Sequence, residues 1–425
     1  MTTLAAGPPE STPLVVRSVA ITDPGPLVRL LPQAGPVAWV RRGDGLVGWG
    51  EAARIATRGP DRFIDADGWW QRLTSAAVVR DEVDVPGSGL VAFGSFAFSD
   101  STGAASTVGG GSGESVLVVP EVVVGRRGGA WWVTTIGSAL SGPLAPEPTD
   151  DPAAPEVVFT DGALSGAEWE SVVADAVRRI EAGALQKVVL ARDLVAQSDA
   201  PIDVRWPLRR LVEQYPTCWS FHVDGLFGAT PEMLVRRERG LVTSRVLAGT
   251  IRRTGDDERD LALAGKLARS SKDLEEHEYA VRSVADALAP HCTSMNLPES
   301  PFVLHLPNVM HLATDVTGVV GDSTTALGLA AALHPSAAVG GTPTSTAVDL
   351  IGEIEGMDRG RYAGPVGWID AHGDGEWGIA LRSGEVRGSQ VRLFAGCGIV
   401  AGSDPQAELA ESQAKFVPVR DALGS

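Results

Sequence analysis

The first third of the chain alternates apolar and polar residues over short runs that glycine and proline interrupt. These runs lie at 36–52, 89–98 and 115–137, and they are rich in valine and tryptophan. Such alternation, bounded by Gly-rich breaks, is typical of hairpins in an antiparallel sheet. We therefore predict short strands throughout 14–142, with a flexible connection at 101–115 and a Pro-rich acidic linker at 141–156.

The pattern changes from residue 165 onward. Ser165 precedes apolar residues at helical spacing and a glycine stop at 183, which predicts a helix. By the same criteria we predict further helices at 206–216, 257–289, 323–333 and 345–356 and from about 405, and strands at 185–197, 218–250 and 364–400. Helices interleaved with antiparallel meanders indicate an α+β fold and not βαβ winding.

This organisation divides the chain into two parts. Residues 1–150 form a β-rich N-terminal part, and residues 165–420 form a mixed part with the candidate chemistry. The Pro-rich stretch at 141–156 is the linker between them.

Composition adds a constraint on binding partners. The chain of 425 residues is 44% hydrophobic and carries a net charge of −17. Such a balance argues against nucleic acid and anionic membrane surfaces as partners. An anionic substrate would therefore need local cations or a metal ion.

The expected compartment is the cytoplasm. The three cysteines, Cys218, Cys292 and Cys397, are far apart and suggest neither a disulfide framework nor a zinc site. We see no signal peptide at the N-terminus and no apolar run near the ~20 residues of a membrane span.

Lysine is scarce in this sequence. Only Lys187, Lys266, Lys272 and Lys415 occur, and arginine supplies every other positive side chain. Where arginine serves for almost every cation, a retained lysine is a candidate for a role that needs a compact, titratable ammonium. We assign no role to Lys272.

The stretch "SKDLEEHEYAV" at 271–281 contains three glutamates within four positions. On a helical period the apolar stripe consists of Leu274, His277, Val281, Val284 and Leu288. Glu275 points away from this stripe, which predicts a solvated side chain. Glu276 and Glu278 lie at its two borders, where a half-buried carboxylate could bind a cation, and the helical wheel does not choose between them.

The C-terminal helix has a second charged face. Asp404 and Pro405 predict an N-cap followed by proline at the first helical position. Glu408, Glu411 and Lys415 then follow at i, i+3 and i+7 on one face. Spacing alone leaves two interpretations open, a surface ladder of ion pairs or a metal or anion site.

Two further segments contain candidates for acid–base chemistry. Glu232 follows a proline beside apolar residues in "GATPEML", and a buried carboxyl there would be a general acid with a raised pKa. Lys187 lies in the apolar run "LQKVVLAR", where loss of solvent would favour the neutral base.

Gly396 and Gly398 in "LFAGCGIV" could bring backbone N–H groups to a carboxylate.

Ten segments in order give the chain a family resemblance over residues 165–420. They are "KVVLAR", "GATPEMLVRR", "LAGTIRR", "SSKDLEEHEYAV", "HLATDVTG", "LHPSAAVGG", "RGRYAGPVGW", "GEWGIALRS", "LFAGCGIV" and "AESQAK". Together they resemble the chorismate-utilising enzymes. This resemblance implies one αββα-layered sandwich with large antiparallel sheets, a single structural unit to which residues 1–150 contribute strands. It also implies Mg²⁺ as cofactor and chorismate as substrate.

Within that family the motifs are most similar to those of isochorismate synthases. Lys187 resembles their water-activating lysine, and Ala248 stands where aminodeoxychorismate synthases commonly carry a nucleophilic lysine. Water as nucleophile implies an isomerase that needs no glutamine amidotransferase subunit, and we expect a monomer or weak dimer. Tyr362 keeps salicylate synthase open as an alternative, and a non-catalytic homologue is a more remote one. The sequence does not choose between the menaquinone and siderophore pathways.

The resemblance also assigns roles to residues. It implies catalysis by Lys187 as base and Glu232 as acid, with Mg²⁺ bound by Glu276 and Glu411 and a further candidate ligand in Glu408. The substrate-binding residues that it implies are Gly249, Thr250, Ala338, Val339, Tyr362, Arg382, Gly396, Gly398 and Lys415.

Overall fold

A computed structural model describes residues 13–100, 114–139, 144–305 and 309–424. The side chains of Thr250, Lys272, Asp273 and Glu276 lie outside this description, as does most of the connection predicted at 101–115. Over these ranges the chain forms 23 strands and eight α-helices.

The N-terminal part contains most of the predicted strands and one helix. Its elements are Val15–Ala20 (β1), Val37–Arg41 (β2), Asp44–Trp49 (β3), Ala53–Thr57 (β4), Arg62–Ala76 (α1), Val78–Asp81 (β5), Val91–Ser95 (β6), Ser115–Val119 (β7), Val122–Arg127 (β8) and Ala130–Gly137 (β9). The prediction of strands alone in this region was wrong at α1. Its buried residues Phe63, Ala66 and Trp70 recur at helical spacing and pack the helix onto the sheet beside it.

Apart from β10, which was not predicted, the middle of the chain follows the predicted order of elements. These are Val158–Asp161 (β10), Gly166–Glu181 (α2), Lys187–Gln197 (β11), Arg205–Gln214 (α3), Trp219–Val223 (β12), Leu226–Thr230 (β13), Met233–Glu238 (β14), Leu241–Arg252 (β15), Asp257–Leu267 (α4) and Ser271–Leu288 (α5). Ser165 caps α2 with a complete capping box. The single helix predicted at 257–289 is instead two helices, because the chain turns where Arg269 and Ser270 donate to the carbonyls of Lys266 and Leu267.

The C-terminal part alternates strands with three helices. Its elements are Cys292–Asn296 (β16), Phe302–His305 (β17), Val309–Val320 (β18), Ala326–Leu333 (α6), Gly341–Thr342 (β19), Thr344–Ile354 (α7), Pro365–Asp370 (β20), Gly375–Ile379 (β21), Ser383–Arg387 (β22), Gln390–Ile399 (β23) and Pro405–Leu423 (α8).

The strands form two large sheets. The first has 13 strands in the order β10-β11-β23-β22-β13-β12-β2-β3-β8-β9-β1-β5, with β19 also paired to β11. The second has ten strands in the order β16-β18-β15-β14-β21-β20-β6-β7-β4, with β17 also paired to β18. Every pairing is antiparallel except that of β1 with β5.

Helices cover the outer faces of both sheets. Helices α2, α3, α7 and α8 contact the first sheet, whereas α1, α4, α5 and α6 contact the second. Large apolar side chains fill the space between the sheets, among them Trp39, Phe93, Phe221 and Trp377. This arrangement confirms the predicted α+β class and its four layers. Among the described helices, none is both long and apolar enough to span a membrane.

Candidate functional site

One cavity of about 470 Å³ contains most of the predicted site. The predicted residues that line it are Lys187, Glu232, Gly249, Ala338, Val339, Tyr362, Arg382, Gly396, Gly398, Glu408, Glu411 and Lys415. The two remaining candidates, Thr250 and Glu276, have side chains outside the described set. Residues more than 200 positions apart in sequence therefore converge on one enclosed space.

Two neighbouring crossings between the sheets bring Glu232 and Arg382 into the cavity. The chain leaves β13 in the first sheet and enters β14 in the second through Pro231 and Glu232. It returns from β21 to β22 through residues 380–382, and the Ala229 N–H donates to the carbonyl of Arg382 at 3.2 Å. Arg382 itself has a φ of 48°, an uncommon conformation for a residue other than glycine.

Glu232 is buried, with 8% of its surface exposed. Burial raises the pKa of its carboxyl to about 7, although the nearby charges of Lys187 and Arg382 oppose this shift. A carboxyl group in this state is largely protonated just below neutral pH and can donate its proton. The buried carboxyl with a raised pKa that the sequence suggested is thus present in the structure, and its role as a general acid stays a prediction.

Lys187 begins β11 and extends toward β23, the neighbouring strand. A Cβ atom built on Gly398 would lie 3.0 Å from the Lys187 Cε and 3.6 Å from its Nζ. The ammonium group therefore occupies the space that a side chain at 398 would need. Lys187 is half-buried. Its apolar neighbours in the sequence had suggested that the side chain loses its solvent fully, and this expectation was wrong.

Tyr362 occupies the space beside Gly396, the other glycine of β23. Its ring stacks on Phe394 at 4.9 Å between centroids, and a Cβ atom on Gly396 would lie 3.0 Å from the tyrosine hydroxyl. Burial raises the pKa of this phenol well above its usual range, so it remains a neutral hydrogen-bonding group. Gly396 and Gly398 thus make room for two functional side chains, a role the sequence argument had not given them.

Gly249 bends β15 toward the cavity. The register between β15 and β18 shifts between Ala248 and Thr250, which marks a bulge, and Gly249 has a φ of 76° that glycine adopts without strain. After the bulge, Thr250 pairs with His311 across the ladder. The bulge turns the backbone of this segment toward the cavity, where Ala248 and Gly249 both line the wall.

The charged face of α8 also lines the cavity. The Asp404 side chain accepts from the Ala407 N–H at 2.9 Å and caps the helix, as predicted. The Lys415 Nζ contacts Glu411 Oε1 at 2.7 Å and donates to the Gly396 carbonyl at 2.7 Å. Spacing alone had left an ion-pair ladder and a ligand site open; this face contains an ion pair and also lines the cavity.

The same face could hold a divalent cation. The sulfur of Cys397 and carboxylate oxygens of Glu408 and Glu411 lie within 4.8 Å of one another. Burial raises the pKa of Glu408, whereas for Glu411 the charges of Lys415 and Arg382 outweigh burial and lower the pKa. Two adjacent carboxylates suit Mg²⁺, which prefers oxygen ligands. Burial raises the pKa of Cys397 to about 12, so its neutral thiol is not a suitable ligand for this ion.

Helix α5 confirms the predicted apolar stripe. His277, Val281, Val284 and Leu288 are buried, and the His277 Nε2 lies 2.8 Å from the Thr314 hydroxyl. Histidine 277 is thus a hydrogen-bonded core residue.

The two glutamates of α5 whose side chains are described both lie in solvent. Glu275 is exposed, as predicted. Glu278 is also exposed and pairs with Arg282, so the expectation of a half-buried border position was wrong for this residue. Its carboxylate projects too far from the apolar stripe to be desolvated by it.

Several residues of the cavity wall were not identified from the sequence. The described ones include Val189, Pro231, His311, Arg359, Phe394 and Ser403. His311 is the most informative of them, because burial and then the charges of Arg382 and Lys415 lower its pKa to about 3. It is therefore neutral in the site, and its position at the start of "HLATDVTG" was the available signal.

Comparison with known proteins gives a family match over most of the chain. A family model described as "Chorismate binding enzyme" matches residues 37–424. Isochorismate synthase MenF of Bacillus subtilis is 39% identical over 261 residues, which are 60% of this chain and 55% of that protein. The chain thus spans only about half the length of that relative. Isochorismate synthase DhbC of Bacillus subtilis is 40% identical over 269 residues, which are 60% of this chain and 68% of that protein.

A solved structure supports the fold. The menaquinone-specific isochorismate synthase MenF from Escherichia coli superposes with a TM-score of 0.76 and 24% identity. The match covers 98% of this chain and 96% of that one. The similarity extends through the N-terminal strands, where the sequence motifs had given no information.

Proposed function

This chain belongs to the chorismate-binding enzyme family, and we propose that it is an isochorismate synthase. The observation that carries this proposal is the pair of Lys187 and Glu232 on the wall of one cavity. Lysine supplies a base for water, and the Glu232 carboxyl, with its pKa near 7, supplies a proton. Similarity to named isochorismate synthases supports the same activity.

The proposed reaction exchanges one hydroxyl group of chorismate for another. Lys187 removes a proton from water as the oxygen attacks C2 of the ring, and the ring double bonds shift. Glu232 protonates the hydroxyl on C4, which leaves as water. One water molecule enters and one departs, so the reaction is an isomerisation, with the base and the acid acting at different carbons of the ring.

The cationic groups in the cavity account for a dianionic substrate in a chain of net charge −17. We propose that Arg382 and Lys415 bind the enolpyruvyl carboxylate together with the backbone of Gly396 and Gly398. Ala338 and Val339 would contact the ring. Tyr362, Gly249 and Thr250 complete the proposed set of substrate-binding residues.

We further propose Mg²⁺ as cofactor, bound by Glu411 and Glu276 with Glu408 as an additional candidate ligand. The described carboxylates on α8 fit a hard cation, as argued above. When bound, the ion would neutralise the ring carboxylate of the substrate.

Water as nucleophile removes the need for a partner that delivers ammonia. Ala248 lines the cavity with a methyl group only, where a lysine would offer an amine to the substrate. We therefore propose that the chain acts without a glutamine amidotransferase subunit.

One assay tests the proposed reaction. Chorismate and Mg²⁺ are incubated with the protein in the absence of ammonia and glutamine, and the products are separated by chromatography. We expect isochorismate from the wild type and none from the folded Lys187→Ala and Glu232→Gln variants. Lys266→Ala, which removes an exposed lysine on α4, should retain wild-type turnover. Wild-type turnover in either active-site variant would contradict the assigned roles.

The same assay distinguishes a salicylate synthase. Tyr362 lines the cavity, where a hydrogen-bonding group could assist loss of pyruvate. If salicylate and pyruvate are the final products, the protein is a salicylate synthase and the proposed isochorismate synthase activity is wrong. No product at all would indicate a homologue that only binds its ligand.

The metal ligand on α5 can be tested with two matched variants. Glu276→Ala should abolish Mg²⁺ binding, measured by titration calorimetry, together with activity. Glu278→Ala should preserve both, because its carboxylate is exposed and pairs with Arg282. The opposite result would identify Glu278 as the ligand.

A further inference from the structure

Strand β11 has a gap along one of its edges. On one side it pairs continuously with β23 from Val188 to Gln197. On the other side, within the described chain, β19 pairs only with residues 187–188 and β10 only with residues 194–197. Residues 189–193 therefore lack a neighbouring strand on that edge, although Val189 lines the cavity two positions after Lys187.

Groups from a loop and a helix end satisfy the backbone in this gap. The Val189 N–H donates to the Gly340 carbonyl at 2.8 Å, and the Arg359 Nη2 donates to the Val189 carbonyl at 2.6 Å. The Ala191 N–H donates to Glu355 Oε1 at 2.5 Å. The Glu355 and Arg359 side chains thus replace two of the hydrogen bonds that a neighbouring strand would make, and the Gly340 carbonyl and the Trp169 indole replace two others.

Glu355 and Arg359 are themselves a buried ion pair. Their side chains are 0% and 3% exposed, and Arg359 bonds the carboxylate through Nε at 2.7 Å and Nη2 at 2.6 Å. The guanidinium lies 4.3 Å from the centre of the Phe98 ring. Paired, stacked and hydrogen-bonded in this way, the guanidinium has little freedom to move.

The other terminal nitrogen of the Arg359 guanidinium, Nη1, contacts a second wall of the cavity. Its Nη1 donates to the Val339 carbonyl at 3.0 Å. One planar group therefore bonds the backbone of Val189, on the strand that carries Lys187, and the backbone of Val339, which lines the substrate space. The fixed geometry of a guanidinium sets the separation of these two walls.

We propose that Arg359 and Glu355 are positioning residues that hold Lys187 at a set distance from the Ala338–Val339 wall. This inference rests on the proposed function, because it gives Lys187 the role of base. Stability alone is a weaker explanation of the pair: buried ion pairs often contribute little net stability compared with apolar residues, whereas bonds to two cavity walls impose a geometry.

The test compares Arg359→Lys with a matched variant elsewhere. Lysine preserves a positive charge beside Glu355 but cannot bond both carbonyls in one plane. We expect kcat to fall at least about tenfold and the KM for chorismate to rise, with Mg²⁺ affinity unchanged. Arg237→Lys alters another buried pair, with Asp374, whose side chains are 15% and 6% exposed and lie outside the cavity; kcat and KM should not change.

A second measurement does not depend on which reaction is catalysed. Amide hydrogen exchange should become faster in 186–192 and 336–342 in Arg359→Lys and remain unchanged there in Arg237→Lys. If the wild type makes no isochorismate, the proposed function fails, but the exchange result still tests the positioning pair. If Arg359→Lys does not fold, the double variant Arg359→Met with Glu355→Leu, which leaves no unpaired charge, replaces it. Wild-type kinetics and unchanged exchange in the folded variant would overturn the proposal.

Discussion

At the scale of single residues, the chemistry of the site depends on where Glu232 is buried. Glu232 lies at a crossing between the two sheets, and its backbone carbonyl accepts a hydrogen bond from the Ile379 N–H at 3.2 Å. Burial favours the neutral acid, and the cations of Lys187 and Arg382 only partly offset that preference. The enzyme therefore maintains a proton donor near neutral pH at the expense of its own stability in alkaline solution.

Glu232→Gln should be inactive and yet more stable than the wild type above pH 7. The folded-state pKa of about 7 is above that of an unfolded glutamate, so wild-type stability falls as pH rises from about 4.5 to 7. Glutamine carries no such dependence. Urea unfolding should show a gain on the order of 1–3 kcal/mol at pH 8 that disappears near pH 4.

The corresponding control is Glu353→Gln, an exposed glutamate paired with Arg179, which should show no gain at pH 8. In the wild type, kcat should decline as pH rises through about 7. A stability gain independent of pH would contradict the buried-acid explanation.

The residue types in the site could be predicted, but their environments could not. Lys187, Glu232 and Arg382 were identified from motifs, and all three line the cavity. The burial of Glu232 depends on a crossing between sheets that no local pattern encodes. His311 was overlooked, although it begins the motif "HLATDVTG", because the motif does not show which of its residues face the cavity.

At the scale of elements, α8 determines the geometry of the candidate metal site. Glu408, Glu411 and Lys415 project from one face of this helix, whose N-terminus is fixed by Asp404. A frayed first turn would displace Glu408, only four residues beyond the cap. The cap therefore contributes to ligand geometry as well as to stability.

Asp404→Ala should weaken both the helix and metal binding. Loss of the cap costs about 0.5–2 kcal/mol of unfolding free energy, and Mg²⁺ affinity measured by calorimetry should fall several-fold. Asp256→Ala removes an equivalent cap from α4, where Asp256 accepts from the Arg259 N–H at 3.0 Å. It should cost similar stability but leave Mg²⁺ affinity unchanged, and equal loss of affinity in both variants would contradict a local effect.

Periodicity predicted most elements because local spacing determines them. Strands β10 and β16–β19, helix α1 and the division between α4 and α5 were not predicted. The two helical differences have local causes that a pattern conceals. Helix α1 has Gly68 and two aspartates in a region dominated by strands, which hides the spacing of Phe63, Ala66 and Trp70. Helices α4 and α5 are separated by a turn within one continuous helical pattern, and the pattern alone does not show where the chain changes direction.

At the scale of the whole molecule, the two parts of the chain share both sheets. Strand β2 pairs with β12 in the first sheet, and β6 pairs with β20 in the second. Phe98 from the N-terminal part also stacks on Arg359 behind the cavity. The N-terminal strands therefore complete the layers that carry the residues of the cavity.

This sharing predicts that the chain unfolds as one cooperative unit. Phe93 in β6 and Phe221 in β12 are both fully buried in the same core cluster, one on each side of the linker. Either Phe→Ala substitution should cost about 3–5 kcal/mol, because each leaves a cavity in a packed core. Scanning calorimetry should show a single transition in each variant, moved to lower temperature by a similar amount. Two transitions, with Phe93→Ala lowering only one of them, would mean that residues 1–150 fold independently of the catalytic part.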